Sequence, residues 1–120
     1  LPRLPDRTGV AVEELARRHG DFAVVGVVAA VHLAADGTVD LVRLAASGVD
    51  SVPVRLHAAE AALSGARPTA DVLEAAAATV DASIHPTDDV HAPASYRRHV
   101  ARLLVQRALG AAVERSGAER

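Results

Sequence analysis

One run of the chain constrains the fold more than any other: Phe22 to Ala35, dense in valine (Val24, Val25, Val27, Val28 and Val31) and closed by Asp36-Gly37. Packed β-branched side chains favour an extended strand, and near-continuous apolarity predicts a strand covered on both faces. Asp36-Gly37 then predicts a two-residue hairpin turn. The return strand is expected over Thr38 to Ala46, with Ala35 facing Thr38 and Val31 facing Val42. Gly48 to Pro53 reads as a loop.

The flanking segments read as helical. Thr8 is placed to cap a short helix over Val10 to Arg18, acidic early (Glu13, Glu14) and basic late (Arg17, Arg18), with Gly20 beyond its end. Downstream, helices are expected over Val54 to Leu63, from a Thr69 cap to about Ala82, and from Ala94 to about Arg115. The second carries a stripe of Leu73, Ala76, Ala77 and Val80, and the third one of Val100, Leu103, Leu104, Ala108 and Ala111. Strands segregated from helices imply an α+β fold: a small antiparallel sheet, a hairpin with room for a third strand, packed against a three-helix layer. Phe22 and Tyr96 are the only aromatic residues, so the core is built from Ala, Val and Leu. Such a core is thin, and an apolar face and sheet edges are expected to meet a neighbour.

Little in the chain points to chemistry of its own. Without cysteine there are no disulfides and no thiolate chemistry. A net charge of −2 and two aromatics argue against a nucleic-acid partner. No apolar run reaches the roughly 20 residues that span a bilayer, and the opening residues are not those of a signal peptide, so a cytoplasmic location is expected. His85, Asp88, Asp89 and His91 offer imidazole and carboxylate ligands in one loop, but at spacings unlike a helical or hairpin metal pair; the competing reading is that the aspartates bind turn amides. Arg17-Arg18-His19 and Arg97-Arg98-His99 are able to grip an anion, although Arg97 and Arg98 read more simply as a solvated helix face. No serine sits in a nucleophile elbow, and Gly26 and Gly48 belong to no phosphate-cradling loop. By itself the chain is not expected to be catalytic.

Three segments in register resemble a known family: EELARRHGDFAVVGVVAAVHL (Glu13 to Leu33), DGTVDLVRLAASGVDSVPVRLHAAEAALSG (Asp36 to Gly65) and YRRHVARLLVQRAL (Tyr96 to Leu109). They look like the C-terminal domain of the FAD-binding medium subunit of molybdenum hydroxylases, the carbon monoxide dehydrogenase and xanthine dehydrogenase group. The most specific pieces are Arg17 to Ala23, Pro53-Val54-Arg55 with Ala59-Glu60, and Tyr96-Arg97-Arg98. The resemblance implies a carbon monoxide dehydrogenase flavoprotein C-terminal-domain-like fold. It implies FAD in the parent subunit, held by domains preceding this one, and none held by this chain alone. Its implied partners are those preceding FAD-binding domains, an iron–sulfur small subunit and a molybdenum large subunit. Residues 1–9 are then the connector from a missing FAD-binding region and 10–120 the domain, with Glu13, Glu14 and Asp21 nearest the flavin. A free-standing interaction or dimerisation module is the alternative. Asp21, just past Arg17 and Arg18, is further expected to pair with an arginine or accept backbone amides.

Overall fold

The computed structural model describes residues 6–15, 25–88 and 93–118. Strand β1 (Gly9–Leu15) is followed by β2 (Val25–Leu33), β3 (Val39–Ser47) and the two-residue β4 (Val54–Arg55). Helix α1 (His57–Leu63), α2 (Ala70–Ala78), the single turn α3 (Val80–Ser83) and the long α4 (Ala94–Ala118) complete the described elements. The strands form one antiparallel sheet in the order β1-β2-β3-β4. Helix α4 lies along β1 and β2, α1 along β3, and α2 bridges α1 and α4. The α+β expectation therefore holds, with four strands.

The expected hairpin is present, and Val31 does face Val42. Its tip differs by one residue. Gly37 donates to the Ala34 carbonyl (2.9 Å) and Ala34 donates to the Thr38 carbonyl (2.8 Å), so Ala34, not Ala35, faces Thr38. A three-residue loop results, with Gly37 at φ +87° taking the left-handed position. The register recovers through a bulge opposite His32 and Leu33, where Asp40 has no partner strand residue. The bulge has a packing reason. Val39 and Val42 are both about fully buried, and an odd separation on a regular strand would send one of them outward.

The helix expected over Val10 to Arg18 is instead β1 from Gly9 to Leu15, with residues 16–18 outside the described set. Tertiary pairing overrides the local caps and charges: every residue of β1 is in register with β2, from Gly9↔Val31 to Leu15↔Val25. The inward residues Gly9 and Ala11 are small because α4 comes close. A Cβ on Gly9 would stand 1.9 Å from the Ala112 carbonyl oxygen and 2.6 Å from the Ser116 nitrogen. Arg115 then reaches across to donate to the Val10 carbonyl (2.6 Å).

Other boundaries also move. The segment expected to be helical from Val54 begins as β4, with α1 starting at His57. Thr69 does cap α2, accepting from the Val72 amide (3.3 Å), and Ala76, Ala77 and Val80 are buried as expected. On α4, Val100, Leu104 and Ala108 are buried, but Leu103 is 42% exposed. The stripe is centred on Ala101, Val105, Ala108 and Ala112, all at 0%. Two residues along a helix is about 200° of rotation, so Leu103 lies opposite Ala101.

Candidate functional site

The most highly organised polar site of the described chain lies where the sheet ends and α1 begins. Leu56 donates to the Leu44 carbonyl (2.8 Å), as a strand partner should. Its own carbonyl is already taken, accepting the Glu60 amide (3.1 Å) to start α1. The buried Leu44 amide would be orphaned by this, at a cost of about 1–3 kcal/mol. Glu60 supplies the missing acceptor: its Oε2 takes the Leu44 N–H at 2.9 Å. Arg55 clamps the same carboxylate through Nε (2.8 Å to Oε2) and Nη2 (2.8 Å to Oε1).

Glu60 is 7% exposed. Burial pushes its carboxyl up, but the Arg55 hydrogen bonds, the Leu44 amide and the Arg55 charge outweigh that and hold it below its ordinary value. The hydrogen bond to Glu60 raises Arg55 in turn. Both carboxylate oxygens of Glu60 and the Leu44 amide are satisfied within the fold, so the clamp is structural. Its trace in the sequence is a lone carboxylate among alanines, five residues after an arginine.

The Tyr96-Arg97-Arg98 segment is also used internally. Arg97 is buried, not solvated as expected, and its Nη1 donates to the Gly48 carbonyl (3.0 Å). Arg98 is half-buried and donates to the Asp81 carbonyl (2.5 Å). The start of α4 packs on the loop after β3 and on α3, so each guanidinium donates to a carbonyl there. Asp88 accepts the Ala94 amide (2.5 Å) and satisfies the first turn of α4, which is the amide-binding role weighed above. Among the described residues no cluster of three metal-ligating side chains occurs. Asp89 and His91 lie outside that set, as do Arg17, Arg18, His19 and Asp21.

Glu13 and Glu14 are brought to one strand, not to one site. Glu13 is paired opposite Val27 and faces the helices, half-buried; Glu14 is opposite Gly26 on the other face, exposed. Only one of them is able to point at a given ligand edge. Glu14 borders a shallow groove of about 160 Å³ formed with Val12, Gly26, Val28, Ala45, Ser47 and Pro53. A second depression, about 390 Å³, is lined by Arg7, His32, Leu33, Ala35 and Ser116. There the His32 Nδ1 is held by Asp40 (2.5 Å), and the buried Ser116 hydroxyl has no hydrogen-bond partner among the described residues.

A sequence model described as the CO dehydrogenase flavoprotein C-terminal domain matches residues 10–112. The chain belongs to this family. It is 34% identical over 116 residues to the 6-hydroxypseudooxynicotine dehydrogenase complex subunit alpha of Paenarthrobacter nicotinovorans, covering 97% of this chain and 39% of that protein. It is 33% identical to the carbon monoxide dehydrogenase medium chain of Hydrogenophaga pseudoflava, covering 93% of this chain and 39% of that protein. The solved carbon monoxide dehydrogenase of Hydrogenophaga pseudoflava that lacks the Mo-pyranopterin moiety superposes with a TM-score of 0.90 at 36% identity, over 96% of this chain and 40% of that one. The CO dehydrogenase flavoprotein C-terminal domain fold thus accounts for nearly all of the chain. The chain spans about two-fifths of the length of the relatives it matches. Among the described residues no helix is long and apolar enough to cross a membrane.

Proposed function

We propose that this domain works as the C-terminal part of an FAD-binding medium subunit in a cytoplasmic molybdenum hydroxylase. Its task is to close the flavin side of that subunit and to help dock it with an iron–sulfur small subunit and a molybdenum large subunit. FAD in such a subunit receives electrons from the iron–sulfur centres and passes them to an external acceptor. The observation that carries the reading is the family match over residues 10–112, joined to relatives two and a half times longer whose names are those of dehydrogenase subunits.

The chain's own chemistry agrees with a supporting role. It has no glycine-rich loop whose converging amides would hold a pyrophosphate. Its best-ordered carboxylate, Glu60, is spent on the fold. Contact with the flavin edge falls to Glu14, on the exposed face, with Glu13 and Asp21 as the other flavin-proximal candidates. Residues 1–9 are read as the connector to the FAD-binding part.

Three measurements test this. The coding DNA upstream of Leu1 is expected to carry an open frame with glycine-rich FAD loops; a stop codon there would favour a free-standing interaction module. Removing residues 10–120 from the full subunit is expected to lower FAD retention and complex assembly. Unchanged FAD content and assembly would overturn the proposal. The 120-residue chain alone is expected to show no flavin binding at micromolar concentration, near −8 kcal/mol, by fluorescence titration.

A further inference from the structure

An antiparallel sheet with one face on the core and one in water alternates apolar and polar residues. The face of this sheet turned away from the helices does not follow that rule. Val12, Val28 and Ala45 form one row across β1, β2 and β3, and Val10, Ala30 and Arg43 form the next. Val10, Val12 and Val28 are 42%, 56% and 47% exposed. The polar groups stand at the margins: Glu14 and Ser47 at one end, Arg43 at the other, and Arg55 beside Ala45.

Gly26 adds an independent observation. It sits inside β2 in regular register, away from the bulge, and is not among the glycines at positive φ. Nor does the domain's own packing demand it. The nearest atoms to a Cβ there would be the Ser47 hydroxyl at 3.0 Å, the free end of a short side chain, and a Glu14 methylene at 3.8 Å. With no bulge and no positive φ to account for it, and only a hydroxyl able to rotate away in the path of a Cβ, a glycine in this strand marks close approach by something outside. Its missing side chain leaves the floor of the groove bordered by Glu14, Val28 and Ser47.

We infer that this face is the seat of the flavin-binding part of the same medium subunit, with a close backbone or side-chain contact over Gly26. The inference rests on the function proposed above and assigns it a surface. Three features favour this occupant. The relatives carry about three-fifths of their length outside this domain. The family's domain is described as C-terminal, and its first strand here, β1, supplies Val10 and Val12, so a preceding part would enter beside this face. The face is made of Val and Ala, without the Trp, Tyr or central Arg anchors that carry binding of a free partner. A tethered neighbour at high effective concentration needs no such anchors.

Because the chain has no cysteine, single thiols report the face directly. Val28→Cys and Val12→Cys, placed in the 120-residue chain and in the full FAD-loaded subunit, are labelled with a thiol reagent and followed by mass spectrometry of their peptides. Both are expected to label rapidly in the free chain and at least about tenfold more slowly in the full subunit. Gly26→Val is expected to leave the melt of the free chain intact while loosening the subunit, seen as faster labelling at position 28. Equal labelling in the two forms, with FAD still bound, would overturn the docking surface and leave the flavoprotein reading standing. Protection that appears only with the iron–sulfur subunit added, or only in a dimer of the free chain, would show a different occupant. A full subunit without FAD would remove the functional reading and this inference with it.

Discussion

Replacing Glu60 with alanine should be the most informative single change in this domain. The carboxylate does two jobs: it accepts the Leu44 amide and it holds Arg55. Leu44 is 1% exposed, so its N–H would lose its acceptor where water has little access, costing about 1–3 kcal/mol. The Arg55 side chain is 45% exposed and free to turn to solvent, so its share is small. A loss of about 2 kcal/mol is expected, which for a domain of this size lowers the melting temperature by roughly 5–10 °C. Glu60→Gln keeps a carbonyl for Leu44 and should lose about half as much.

The same pair fixes a pH signature. The folded carboxyl lies below its ordinary value of 4.5, so its stabilisation is complete above that ordinary value and disappears as pH falls through the lowered folded one. Thermal melts of wild type and Glu60→Gln followed by circular dichroism should therefore differ at pH 7 and converge only as pH falls below 4.5 and through the lowered folded value. A Glu60→Ala melt within 2 °C or so of wild type at pH 7, or a gap that ignores pH, would refute the argument.

Three further outcomes follow from packing. Gly9→Ala drives a Cβ into the backbone of α4 and is expected to cost about 3 kcal/mol, read as a lower urea midpoint; a neutral result would mean β1 and α4 stand further apart. Leu109→Ala should cost about 3 kcal/mol where Leu103→Ala costs under about 0.5, since one side chain is fully buried and the other 42% exposed; equal effects would contradict the orientation of α4. Ser116→Ala removes a buried hydroxyl with no partner among the described residues and improves helix propensity, so it should stabilise by up to about 1 kcal/mol. Destabilisation would show that the hydroxyl is bonded through the depression beside it.

The hairpin was legible because both its signals are local: valine density in β2 and a glycine able to take positive φ at the turn. The first strand was not. Its large residues, Val10 and Val12, face outward and its small ones, Gly9 and Ala11, face α4, which inverts the pattern a strand normally shows. Thr8, the acids and Gly20 supplied a consistent helical reading that only pairing with β2 overrides. On α4 the expected stripe ran through Leu103, and contact with the sheet turns the face through Ala101 and Val105 inward instead. The role of Glu60 depends on where the Leu56 carbonyl turns, a strand-to-helix geometry no residue pattern spells out. Family resemblance marked Arg55 and Glu60 without saying what they do. Glu13 and Glu14 are adjacent in the sequence, and only the strand, in place of the expected helix, puts them on opposite faces.

The contact between Gly9 and the Ala112–Ser116 turn of α4, with the Arg115 bond to Val10, joins points more than a hundred residues apart. During synthesis the β2–β3 hairpin leaves the ribosome long before the helix that covers Val25, Val27 and Val31. Non-local closure of this kind is slow, and an uncovered valine sheet is prone to pair with other chains while it waits. The domain therefore depends on its last helix for protection as much as for stability. Nascent chains stalled before α4 should be rich in chaperone-bound hairpin, whereas chains stalled after it should resist protease.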